Sequence, residues 1–221
     1  MSSSTGGGID ARQALTYVFK DEQWVGKLAV GAVLSLGPLM IIGIFPLMGY
    51  LVEIVRRVSA GSEEPLPEWS NNLGTYFRQG FPVAFGVLTW LLPYQLVWIG
   101  AALVVGPQGL TGQLVFGIVV TLVGTNLYAA VLLPSVIGRY AARPRFGSMF
   151  ELGEIFGSVR RIGTGFGAVF VVHVAVLAIT FVTIWTIVLV IFATSYAVMV
   201  FGHAYGQATR IGYPDQRPID A

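Results

Sequence analysis

Three long stretches of this chain carry no charged residue: 28–52, 79–138 and 162–209. An apolar helix of about 20 residues crosses the hydrocarbon of a bilayer. By that measure the first stretch has room for one span and the other two for two each. The 13 Lys/Arg and 11 Asp/Glu all fall in the remaining blocks, 10–27, 53–78, 139–161 and 210–220. Charged residues make up 11 % of the 221 positions, against roughly 25 % in soluble domains. So few charges cannot cover a water-soluble globule of this size. The pattern excludes an ordinary soluble enzyme, a disordered chain and a nucleic-acid-binding domain, and a formal net charge of +2 adds nothing to the last. Cys is absent, which removes disulfides, thiolate metal sites and cysteine nucleophiles. Two His and few carboxylates lead us to expect no metal and no cofactor.

The expected fold is all-α: a polytopic transmembrane bundle of about five segments with amphipathic interfacial helices. In the second stretch, Gly106-Pro107-Gln108-Gly109 and Gly112 form a turn signal separating spans near 81–105 and 113–138. The third stretch has no such punctuation. As one helix, 163–206 would run over ~60 Å, about twice the hydrocarbon thickness. A hairpin is expected instead, with spans near 164–183 and 185–206 and its turn at Val182–Trp185, where β-branched residues weaken the helix. Residues 1–9 read as a flexible leader without the features of a signal peptide, 10–209 as one membrane domain and 210–221 as a polar tail.

Orientation follows from Lys and Arg in the connections. The 53–78 loop has three, the 139–161 loop five and the tail two, while the expected turns have none. The charged loops and C-terminus are therefore expected in the cytoplasm, on a multi-pass protein of the cell (inner) membrane. Residues 28–52 leave two paths open. A single kinked crossing puts Lys20 and Lys27 outside, against the rule. A re-entrant path, suggested by Pro38, Pro46 and the glycines at 31, 37, 43 and 49, puts every charge on one side.

The connectors are amphipathic. Asp10 and Gln13 have capping-box spacing, and Leu15, Val18, Phe19 and Trp24 oppose Arg12, Lys20 and Glu22. In 139–161, Phe146, Met149, Phe150, Ile155, Phe156, Val159 and Ile162 recur at three- and four-residue steps, bracketed by Arg143, Arg145, Arg160 and Arg161. These arginines, with Trp24 and Trp69, are candidate contacts for anionic lipid or a partner. Each basic residue near an anionic leaflet adds on the order of 1 kcal/mol.

Several of these residues form a series: Asp21-Glu22-Gln23-Trp24, Lys27, Gly49-Tyr50, Arg56-Arg57, Gly61, Leu66-Pro67-Glu68-Trp69 and Gly80, then Phe201 to Ala208. Over about residues 10–210 the chain resembles DUF family 4013, uncharacterised small membrane proteins of bacteria and archaea. The resemblance implies a helical membrane protein of unknown activity and carries over no catalytic residue.

Two polar groups are expected inside spans. Asn126 reads as an interhelical hydrogen bond or a solute contact. His173 reads as a neutral, hydrogen-bonded histidine, a proton relay, a headgroup contact or a weak candidate for cofactor ligation. His203 and Gln207 share a helical face, and Glu53 and Arg57 have the order of an i,i+4 ion pair. Gly163-x-x-x-Gly167 is a small-xxx-small step that permits close helix approach. No nucleophile–base pair or acid dyad is visible. The sequence therefore suggests a non-enzymatic structural, accessory or membrane-organising component. Its partners would be the bilayer, anionic lipids and other subunits or copies of itself, not nucleic acid. The alternative is a small-solute or lipid transporter or channel built on the broken first segment and Asn126.

Overall fold

The computed structural model describes residues 8–36, 39–62, 66–70, 72–105, 124–183 and 185–215. Among them the regular structure is helical, with no strand. The elements are α1 (Ala11–Thr16), α2 (Trp24–Leu34), α3 (Leu39–Ser59), α4 (Leu73–Val105), α5 (Thr125–Ala142), α6 (Leu152–Ile162), α7 (Phe166–Thr183) and α8 (Ile187–Gly212). Short 3-10 turns follow α1 at Tyr17–Lys20, precede α6 at Phe146–Phe150 and join α6 to α7 at Gly163–Gly165. The turn expected at 106–112, residues 113–123 of the span expected at 113–138, residues 1–7 of the leader and residues 216–221 of the tail lie outside the described residues.

Three helical segments are long and apolar enough to cross a membrane: Leu73–Val97, Leu152–Thr183 and Leu189–Gly212. The first starts well before residue 81, because the helix already forms where Tyr76 docks on Trp69 and Tyr50. Pro82 and Pro93 each remove a backbone donor inside α4 without ending it. The second window includes α6, but Gly163 sits at φ +51° and breaks the path between α6 and α7. Only glycine adopts that conformation without steric cost.

Residues 28–52 are interrupted between α2 and α3. These two helices run antiparallel. A Cβ on Gly43 would strike the Leu34 carbonyl, one on Gly31 would meet the Leu47 side chain, and Lys27 lies beside the Trp69 ring that stacks on Tyr50. The stretch therefore leaves and re-enters one end of the molecule. With 11 residues, α2 extends only ~16 Å.

The other helices follow the same plan. In α4 and α3 the backbones touch, since a Cβ on Gly49 would collide with the Tyr76 carbonyl and one on Gly80 with the Phe45 carbonyl. α5 returns antiparallel to α4, with Tyr128 Oη donating to the Trp90 carbonyl at 2.9 Å and Tyr140 Oη to the Gln79 carbonyl at 3.2 Å. α7 ends at Thr183 and α8 begins at Ile187, around the β-branched run where the turn is expected. α8 is central, packing against α2, α3, α5, α6 and α7. It runs parallel to α3, with Gly202 against Ile54 and Gly206 against Val58. That Gly202-x-x-x-Gly206 step is a small-residue contact between α3 and α8. Gly163 and Gly167, by contrast, face no neighbouring side chain.

Candidate functional site

The ends of α3 and α5, the starts of α1, α4 and α7, the C-terminus of α8 and all of α6 meet at one end of the bundle. The contacts that prove this are Arg56 to Ala141, Tyr140 to Gln79, Arg161 to Gly212 and Asp10 to Gln207. Every described charged residue that makes an ion pair does so there.

Lys27 is the first anchor of this end. It is buried at the start of α2, with Nζ 2.8 Å from Asp21 Oδ2 and 2.7 Å from Glu68 Oε1, and it donates to the Leu66 carbonyl at 2.6 Å. An ammonium has three N–H donors, and all three are used. The segment 66–69 is thereby pinned to α2. Trp69 Nε1 donates to the Lys27 carbonyl at 3.0 Å, the Trp69 ring stacks on Tyr50 at 4.0 Å, and Tyr50 Oη donates to the Pro67 carbonyl at 2.9 Å. Asp21, Lys27, Tyr50 and Leu66-Pro67-Glu68-Trp69, scattered in sequence, form one contact network. Trp69, a candidate lipid contact by sequence, has its ring buried in that network.

Arg139 is the second anchor. Its side chain is 2 % exposed at the end of α5. Nε donates to Glu151 Oε2 at 2.7 Å, Nη2 engages the same carboxylate, and Nη1 lies 3.9 Å from Glu154. The guanidinium sits 5.8 Å from the centre of the Tyr213 ring, a cation–π contact. Tyr213 Oη donates to the Ser135 carbonyl at 2.8 Å, and burial pushes its pKa up to about 12. Arg139 thus ties α6 and the segment after α8 to α5. The sequence did not single out Arg139, and it marked Lys27 only as a member of the family-like series and in the orientation argument. The available signal was their position at the edge of a charge-free stretch, with acids 6 and 12 residues away.

Two polar clefts open at this end. One, of about 650 Å³, is lined by Arg56, Arg78, Gln79, Tyr140 and Pro144. Arg56 is already committed, to Glu53 at 3.1 Å and the Ala141 carbonyl at 3.3 Å. The other, of about 250 Å³, is lined by Gln13, Tyr17, Lys20, Gly61, Ser62, His203, Gln207 and Arg210. Here Asp10 Oδ1 caps α1 by accepting from Gln13 N–H at 3.0 Å. The reciprocal arm expected from Gln13 is absent, because Gln207 Oε1 takes the Asp10 N–H at 2.7 Å instead. Gln207 Nε2 then reaches both Gln13 Oε1 at 3.1 Å and His203 Nδ1 at 3.2 Å. Burial pushes the Tyr17 hydroxyl pKa up to about 12, with Arg57 opposing.

The remaining sequence candidates are not brought together. His173 is buried on α7, with Nδ1 2.9 Å from the Val169 carbonyl and Nε2 3.0 Å from Tyr205 Oη. A carbonyl only accepts, so Nδ1 carries the hydrogen and Nε2 accepts from Tyr205. Both ring nitrogens are then engaged, leaving no lone pair for a metal in this arrangement. Asn126 is half-buried in the first turn of α5, and it lines none of the clefts described. Arg143, Arg145, Arg160 and Arg161 are exposed on and beside α6, with Arg161 Nε donating to the Gly212 carbonyl at 2.7 Å. Phe146, Leu152 and Phe156 are exposed among them. Trp24 is half-buried, edge-on to an exposed Phe19.

Long apolar helices in antiparallel pairs, with the ion pairs gathered at one end, define a helical membrane protein. The chain belongs to the family described as "Protein of unknown function (DUF4013)", whose model matches residues 33–201. No curated protein and no solved structure matches it. The match omits 21–27 and 203–208, although Lys27 contacts Leu66 and Glu68 inside it.

Proposed function

We propose that this chain is a non-enzymatic, polytopic protein of a prokaryotic inner membrane, serving as a structural or accessory subunit or a membrane-organising component. Its charged end rests on the cytoplasmic leaflet, and α2 with α3 forms a re-entrant or short first pair. One observation carries this reading: exposed Phe146, Leu152 and Phe156 lie among exposed Arg143, Arg145, Arg160 and Arg161. Apolar rings beside arginines suit a helix lying in the plane of an anionic leaflet, where both are stabilised. The buried ionisable anchors, Lys27 and Arg139, are engaged in ion pairs, which supports a scaffold better than acid–base chemistry.

Pull-down of the full chain in mild detergent with mass spectrometry tests the role. Co-recovery of defined subunits, or of a second copy, is expected. Recovery of a lone monomer overturns the accessory-subunit reading. Labelling of single cysteines at Ser4 and Gln108 tests the topology. Opposite sides are expected for the two positions, and labelling from one side overturns the arrangement.

A further inference from the structure

The strongest unused feature is the smaller cleft, between α1, the end of α3 and the end of α8. His203 is 4 % exposed and lines it. Its Nδ1 faces Gln207 Nε2, an amide nitrogen that only donates, so Nδ1 must accept. The ring hydrogen is therefore on Nε2. The Gln207 side chain is itself held, by Asp10 N–H on its oxygen and Gln13 Oε1 on its nitrogen. The network thus fixes a neutral His203 as a hydrogen-bond donor. The Tyr17 ring, 4.3 Å away between centroids, holds the imidazole in place.

Two cations share the wall. Lys20 closes the turn after α1, and Arg210 lies in the last turn of α8, its guanidinium beside Gly61. Neither has an ion-pair partner among the described residues. Among the described residues, Asp10 is the acid closest to His203, and its Oδ1 caps α1. Two positive charges without an ion-pair partner among the described residues and a fixed neutral donor, set on α8 and on the turn after α1, match one kind of ligand. A phosphate group carries about −1.5 to −2 charge and several strong acceptor oxygens. The larger cleft is a poorer match, since Arg56 is paired with Glu53 and the buried Gln79 Oε1, which has no hydrogen-bond partner, can only accept.

We propose that Lys20, Arg210 and His203 Nε2–H form a phosphate-binding site at the charged end of the bundle. The phosphate comes from a phospholipid headgroup or from a free phosphate. The site stands on these side chains and goes beyond the accessory role proposed above, so either can fail alone.

The test uses the full chain labelled with 15N-histidine. It contains two histidines, and His173 serves as internal reference. Inorganic phosphate is titrated against the detergent-solubilised protein at constant ionic strength, and a second arm compares phosphatidylcholine nanodiscs with and without phosphatidic acid. The His203 Nε2 resonance is expected to move saturably while His173 stays still. Lys20→Gln and Arg210→Gln, both at exposed positions, are each expected to weaken the response about tenfold, the loss of one charged hydrogen bond. Arg145→Gln removes the same charge from a residue outside the cleft and is expected to leave it unchanged. A response to inorganic phosphate supports a free-phosphate source, and a response to phosphatidic acid alone supports a headgroup. A still His203 with both probes, equal weakening by Arg145→Gln, or His173 moving in step would each overturn the site.

Discussion

The two ends of this molecule satisfy their surfaces in opposite ways. At the charged end, Lys27 and Arg139 are buried and held by carboxylates, a carbonyl and a ring. Toward the other end, Val97 and Val182 are each 73 % exposed and Trp185 is 85 % exposed. In water such exposure would be unfavourable, but in lipid it is what a spanning helix needs, since chain and solvent are equally apolar. The comparison teaches where sequence changes should hurt. At the charged end the protein supplies the partners, so removing one strands another. At the apolar end the bilayer supplies the contact, so one apolar residue can replace another.

The most damaging change should be Lys27→Met. It leaves Asp21, whose side chain is 2 % exposed, buried without its cation. Breaking a buried pair from one side costs about 3–5 kcal/mol, so thermal unfolding in detergent should show a large loss or no folded protein. If Lys27→Met melts like the parent, the anchor role of this network is wrong. Val97→Arg probes the other end. On a spanning helix it should cost ~2.5–3.5 kcal/mol of insertion, read as loss from the membrane fraction, whereas Val97→Leu should be silent. Free accumulation of the arginine variant would place Val97 outside the hydrocarbon.

Gly202→Val should be intermediate. Its Cβ would lie 2.9 Å from Ile54, and overpacking costs typically 1–3 kcal/mol. The same change at Gly167, which faces no side chain, should shift the melting point little. Equal effects would remove the distinction between the two glycine steps. The smallest effect should come from Glu53→Gln. It releases half-exposed pairs to Arg56 and Arg57, each at 3.1 Å. About 0.3–0.5 kcal/mol is expected for such helical pairs, fading with added salt.

Much of the helical pattern was legible in the line of residues, and specific contacts show why the rest was not. The charge-free stretches mark the apolar helices because lipid excludes charge whatever the tertiary arrangement. The Asp10 cap and the Glu53–Arg57 pair are local, so spacing predicts them. The Gln13 arm fails because Gln207, 197 positions from Asp10, competes for the same N–H. No periodicity carries that information. The small-residue step at 163–167 has the right spacing, but the φ of Gly163 and the packing of α8 decide that the working step is at 202–206.

By itself, then, the sequence determined that the chain is helical, apolar and segregated in charge, because these follow from the chemistry of individual side chains in water and lipid. Only the tertiary structure decided that 28–52 returns to its starting end, and that Lys27 and Arg139 are buried anchors. The grouping of Lys20, His203 and Arg210 around one cleft belongs to the tertiary structure too. Those outcomes depend on which distant backbone groups compete for the same donors and on which helices come close enough to touch.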